Sequence, residues 1–126
     1  MEQIVFFIEK EISEDLFELP YRHIHHAESL RFMEQARCEY MKKIGWPLEN
    51  FLNQSLFLVV TNVTVQYKRE VIEGSYQVTV EEPKMLDAKR LRIKQRILNA
   101  KGKDAVVTEV EIMCIYVASC RDRFYM

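Results

Sequence analysis

The chain has 126 residues, 48% of them hydrophobic and 29% charged, with a formal net charge of −1. That length suits one domain with a real core, so residues 1–126 are read as a single unit, and the composition excludes a disordered chain. Near-neutral charge gives no global reason to expect nucleic acid as a partner, and no apolar run approaches the roughly 20 residues that span a bilayer.

Gln3 to Glu11 carries apolar and aromatic residues that suit a strand. Acidic Glu2 stands where a signal peptide would have Lys or Arg, so a cytoplasmic location is expected. Pro20 marks an irregular approach to "YRHIHHAESLRFMEQAR", Tyr21 to Arg37, which holds all three histidines. His25 and His26 are adjacent, and no Cys or carboxylate stands at zinc-finger or HExxH spacing, so neither a metal site nor a cofactor is expected.

From about Ala27 to Ile44 the period becomes helical: Leu30, Met33, Ala36, Tyr40 and Ile44 form an apolar stripe, with Glu28, Arg31, Glu39 and Lys42 off it. Lys42 and Lys43 suit the negative pole of that helix, Gly45 suits the left-handed position after its last turn, and Pro47 cannot continue it. A short helical turn around Pro47 to Leu52 follows. Glu34 and Arg37 are three residues apart, where an ion pair on one helix face is the plain expectation.

Strand-type residues dominate thereafter. Leu56 to Arg69 alternates Val59, Thr61, Val63, Val65 and Tyr67 against Val60, Asn62, Thr64, Gln66 and Lys68, which predicts a long half-buried strand. Ser75–Glu82, Lys89–Asn99 and Ala105–Val117 complete four strands in hairpin succession, so an antiparallel sheet of about five strands packed on one helix is the economical α+β solution. Arg90, Arg92, Lys94 and Arg96 share one strand face, either as a solvated outer surface or as a landing strip for phosphates or an acidic carrier protein. Cys38, Cys114 and Cys120 are odd in number with no close pair, so reduced, buried and inert thiols are expected.

The motif and the element order together resemble the hotdog-fold thioesterases of the 4-hydroxybenzoyl-CoA thioesterase and YbgC-like group, in which a long helix is wrapped by an antiparallel sheet. The group's pattern, roughly Asp-x-x-Gly-His-Val-Asn-Asn-Ala-x-Tyr-Leu-x-x-x-Glu-x-Ala-Arg, is matched at His23, Ile24 (for Val), Ala27, Leu30, Glu34, Ala36 and Arg37. The usual Asp position holds Leu19 and the glycine is Arg22, with Glu18 the adjacent carboxylate.

The resemblance implies hydrolysis of an acyl-CoA or acyl-carrier-protein thioester by a homodimer or homotetramer. A carboxylate would attack directly or activate water, and donors would face the developing oxyanion. Glu18 is the first choice for the carboxylate and Glu34 the second. His23, His26 and the free N–H groups at the helix start near Ala27 would position or polarise the carbonyl. Tyr21, Leu30, Met33 and Arg37 would shape the acyl pocket, and Tyr67, Lys68, Arg69, Arg92 and Lys94 would meet the carrier. The alternative is a hotdog protein that binds acyl thioesters or a partner without hydrolysis, which Leu19 in place of Asp favours.

Overall fold

The computed structural model describes residues 6–13, 26–45 and 48–116. Within them the elements follow as β1 (Phe6–Ile12), α1 (His26–Lys43), α2 (Leu48–Asn53), β2 (Leu56–Tyr67), β3 (Gly74–Met85), β4 (Arg90–Leu98) and β5 (Asp104–Tyr116). The end of α1 follows from its residues: Gly45 takes a φ of 86°, its N–H donates to the Lys42 carbonyl at 3.1 Å, and the Ile44 N–H donates to Tyr40 at 3.1 Å. A side chain on Gly45 would be strained at that φ, which is why the helix stops there.

The described strands form one antiparallel sheet in the order β1-β3-β4-β5-β2. β3, β4 and β5 are joined as successive hairpins, but β2 breaks the expected hairpin succession. With β1 on one edge of β3 and β4 on the other, the free edge left for β2 is that of β5. It pairs there from Leu56 opposite Tyr116 to Tyr67 opposite Val106.

The expected alternation of β2 is also corrected. A bulge between Val60 and Asn62 shifts the register by one residue at Thr61, whose Oγ1 donates to the Glu111 carbonyl at 3.4 Å. An inserted residue turns the strand over, so Leu58 and Val60 before the bulge share a face with Val63, Val65 and Tyr67 after it. Their partners on β5 include Ile112, Val110, Thr108 and Val106, all buried, which identifies this as the helix-facing side of the sheet.

α1 packs against β3, β1 and β4. The face it buries is Ser29, Phe32, Met33 and Ala36, with Tyr40 half-buried in the next turn, rather than the stripe through Leu30 and Ile44, both of which are exposed. The spacing i, i+3, i+4, i+7 is that of an amphipathic helix, but small Ser29 takes the place where Leu30 was expected because a hydroxyl allows the helix to approach the sheet closely. The core beneath it joins Val78, Val80, Ile93, Ile97, Val106 and Val110. The helix does not reach β2, so Val60, Val63 and Tyr67 remain 45%, 40% and 50% exposed although they lie on the core side of the sheet.

Candidate functional site

A second stripe of α1, offset from the packed one, lines a cleft of about 430 Å³: Glu34, Arg37, Cys38, Met41 and Ile44 recur at helical spacing along one wall. The floor is a row of neighbours across four strands, Met85 opposite Leu91, Leu91 opposite Ile112 and Ile112 opposite Val60. Phe51 of α2 closes one side, and Lys89 stands at the β3–β4 turn. The volume falls in the range of small-molecule sites, and mostly apolar walls with a few polar groups are the composition such sites have. Ile44 and Met85, exposed at the rim, leave an apolar entrance.

The polar wall is held by a side chain that the sequence reading passed over. Gln95, 0% exposed on β4, donates through Nε2 to the Met33 carbonyl at 2.9 Å and to the Thr79 carbonyl at 3.1 Å. Its Oε1 accepts from Arg37 Nη1 at 2.7 Å. One amide therefore ties the middle of α1 to β3 and fixes the guanidinium that faces the cleft. Thr108, opposite Gln95 on β5, donates to Met33 Sδ at 3.1 Å, so the helix is clipped at two points in the core. The signal was present in "RLRIKQRIL", where Gln95 stands between Ile93 and Ile97 on the inward register, a polar residue at a core position that needs partners.

Glu34 and Arg37 are brought together in the cleft but do not form the ion pair that their spacing allows, because Arg37 turns to Gln95 instead. Burial pushes the Arg37 guanidinium below its ordinary pKa, with the charge of Glu34 and then Cys38 opposing the shift. Cys38 and Cys114 are free, half-buried thiols on the cleft wall rather than core residues. Burial pushes the Cys38 thiol up, and Glu34 adds to the rise, so it is a poor nucleophile at neutral pH.

The other expected site residues are dispersed. Glu18, Leu19, Tyr21 and His23 lie outside the described residues, and His26 is described only as the first residue of α1. Ala27 and Leu30 are exposed on the first turns of that helix and Met33 is in the core, so none of the three lines this cleft. Tyr67, Lys68 and Arg69 sit at the far end of β2, about 30 Å along the strand from Leu58 in the cleft. There the N–H groups of Lys68 and Arg69 donate to the Ala105 carbonyl at 2.8 and 3.0 Å, and the Arg69 side chain donates to the Asp104 carbonyl at 2.6 Å.

Arg92 and Lys94 occupy the sheet's other face, where cations meet acids across the strands. Arg92 is 3.7 Å from Glu111, and Lys94 is paired in register with Glu81 and Glu109. Arg96 makes two bonds to Glu81, at 2.6 and 2.9 Å, and lies 3.3 Å from Asp104.

An antiparallel sheet with one long helix against it, the strands ordered with the first two at opposite edges, is the α+β architecture of the hotdog fold. The sequence matches the thioesterase-like superfamily over residues 14–123, and the chain belongs to that family. Solved structures agree on the fold. A DHNA-CoA thioesterase from Staphylococcus aureus superposes with a TM-score of 0.82 at 23% identity, covering 98% of this chain and 85% of that one. A second Staphylococcus aureus protein, determined in complex with CoA, gives 0.82 at 19% identity over 94% of this chain and 75% of its own. A probable thioesterase from Bartonella henselae gives 0.79 at 20% identity over 90% and 93%. A comparison with curated protein sequences finds no match. Among the described residues no helix is long and apolar enough to cross a membrane.

Proposed function

We propose that the chain, as a single domain, hydrolyses acyl thioesters of coenzyme A in the cleft between α1 and the β2–β5 end of the sheet. Membership of the thioesterase-like superfamily across most of the sequence is the observation that carries this reading. The CoA thioesterases and the CoA complex among its structural neighbours support coenzyme A over a carrier protein as the thiol. Apolar walls around one carboxylate suit an acyl group beside a residue that can attack the carbonyl or activate water. Glu34 is the carboxylate facing that cleft, and Glu18, in the segment before α1, is the other candidate. The free N–H groups at the start of α1 near His26 and Ala27, with His23, are the candidates for polarising the carbonyl. The charge-matched outer face of β4 supports a solvated surface for Arg92 and Lys94 more than a phosphate track.

The active unit is a homo-oligomer joined along β2. This strand is a sheet edge with an unpaired row of backbone groups, and its core-side residues are left uncovered by the chain's own helix. A second reading, thioester binding without hydrolysis, is favoured by Leu19 at the position where the family keeps its Asp.

Release of free thiol from a panel of aryl, short and long acyl-CoAs separates the two readings. Glu34→Gln and Glu18→Gln then assign the carboxylate: the correct one loses about a hundredfold or more in kcat, the scale of a general base. Full activity in both variants on the best thioester would remove carboxylate catalysis from this protein.

A further inference from the structure

Arg37 is a half-buried cation in an apolar cleft with no carboxylate in ion-pairing distance among the described residues. Guanidinium stays charged at any physiological pH, so its desolvation has to be offset by a partner. Gln95 supplies one neutral acceptor, at Nη1. The remaining N–H groups of the fork have no acceptor among the described residues. Gln95 is itself held by two backbone carbonyls, so it presents the fork in one orientation. Lys89 adds a second cation to the lining, against the single carboxylate of Glu34. A ligand with an anionic oxygen gains from this arrangement, and a planar carboxylate matches the fork in two parallel hydrogen bonds.

Resting on the thioesterase reading, we propose that Arg37 makes the cleft selective for acyl groups that carry their own carboxylate, the monothioesters of dicarboxylic acids. The apolar floor of Val60, Ile112, Leu91 and Met85 accommodates the methylene chain, and the free edge of the guanidinium receives the distal carboxylate. Phosphate groups of the carrier would instead require cations at a solvated mouth.

Glutaryl-CoA and valeryl-CoA have acyl chains of the same carbon number and differ in the distal carboxylate. The unaltered protein is expected to favour glutaryl-CoA by at least about tenfold in kcat/KM at low ionic strength, the scale of a charged hydrogen bond. Arg37→Gln should bring that ratio close to one, and Arg37→Lys, which keeps charge but loses the fork, should leave an intermediate value, with circular dichroism melts reporting that each variant folds. Should Arg37→Gln fail to fold, the ratios of the unaltered protein and of Arg37→Lys decide. Equal kcat/KM for the two thioesters in the unaltered protein overturns the proposal. So does an equal loss on both substrates in Arg37→Gln, which would put the guanidinium on the thioester or carrier portion they share. If no thioester in any panel is hydrolysed, the hydrolase reading falls, and calorimetry with the same two thioesters reads the preference alone: tighter glutaryl-CoA binding that Arg37→Gln abolishes supports it, and equal binding overturns it.

Discussion

The two halves of the sheet are built from similar residues and treated differently by the fold. Under α1, the β1–β3–β4 half buries Val78, Val80, Ile93 and Ile97 almost completely. Beyond the helix, β2 offers Val60, Val63 and Tyr67 on the same side of the sheet and leaves them open. The first half therefore holds the stability of the monomer, and the second half holds the surfaces left for a ligand and a second chain. Apolar content alone does not separate them. What does is the reach of an 18-residue helix, about 27 Å, laid over only part of a five-stranded sheet.

The sharpest way to break this contrast is to truncate one side chain in each half. Ile97→Ala removes a fully buried side chain and is expected to cost about 3 kcal/mol, read from the urea midpoint, whereas Val63→Ala should cost no more than about 1 kcal/mol. Comparable losses would mean that the open half is packed in solution as tightly as the closed one. Gln95→Leu comes next: it fills the space but leaves Arg37 without its acceptor and two carbonyls without their donor, for a loss of about 2 kcal/mol. An unchanged midpoint would show that the amide clip is replaceable by packing.

On the open side, Val63→Lys should change assembly more than folding. It places a cation on the uncovered face, so sedimentation at micromolar concentration should shift from dimer or larger toward monomer with the circular dichroism spectrum retained. A parent protein already monomeric under those conditions would sink the intersubunit reading of β2. The smallest effect is expected on the outer face. Although burial alone would raise the Glu81 carboxyl, bonds from Arg96 and Thr79 hold it below the ordinary carboxylate range. A depressed folded-state pKa contributes stability that is present above the unfolded carboxylate value and is lost as pH falls through the folded one. Glu81→Gln should thus cost about 1 kcal/mol near pH 7 and progressively less in acid, seen as urea midpoints of variant and parent that converge as the pH is lowered.

Much of the element order could be read from local pattern. The α1 boundaries came from the change of period near Ala27 and from Lys42, Lys43 and Gly45, and these are local, short-range signals. Strand order was a different matter, since which edge receives β2 depends on partners far away in sequence. The alternation of β2 misled because nothing in "VVTNVTV" announces the bulge. The helix face was misjudged for a related reason: counting apolar residues favours Leu30 over Ser29, although close packing rewards the smaller side chain. In the cleft, Glu34 and Arg37 were visible as a pair, but a wall assembled from two helices and four strands has no signature along the chain. The residues before α1 that the motif emphasises, Glu18, Tyr21 and His23, lie outside the described residues.

Thr61 has a further consequence for the way this strand can vary. Because the extra residue exchanges the two faces of everything after it, β2 behaves like a message with two reading frames joined at one position. Removing a single residue there would not shorten the strand so much as re-address it: Val63, Val65 and Tyr67 would pass to the outer surface and Thr64 and Gln66 would enter the core side. Changes in length within β2 are therefore tolerable only in pairs, or where a second change elsewhere in the strand restores the frame. A residue-by-residue comparison with any related strand has to step once at this point before its apolar positions can be matched.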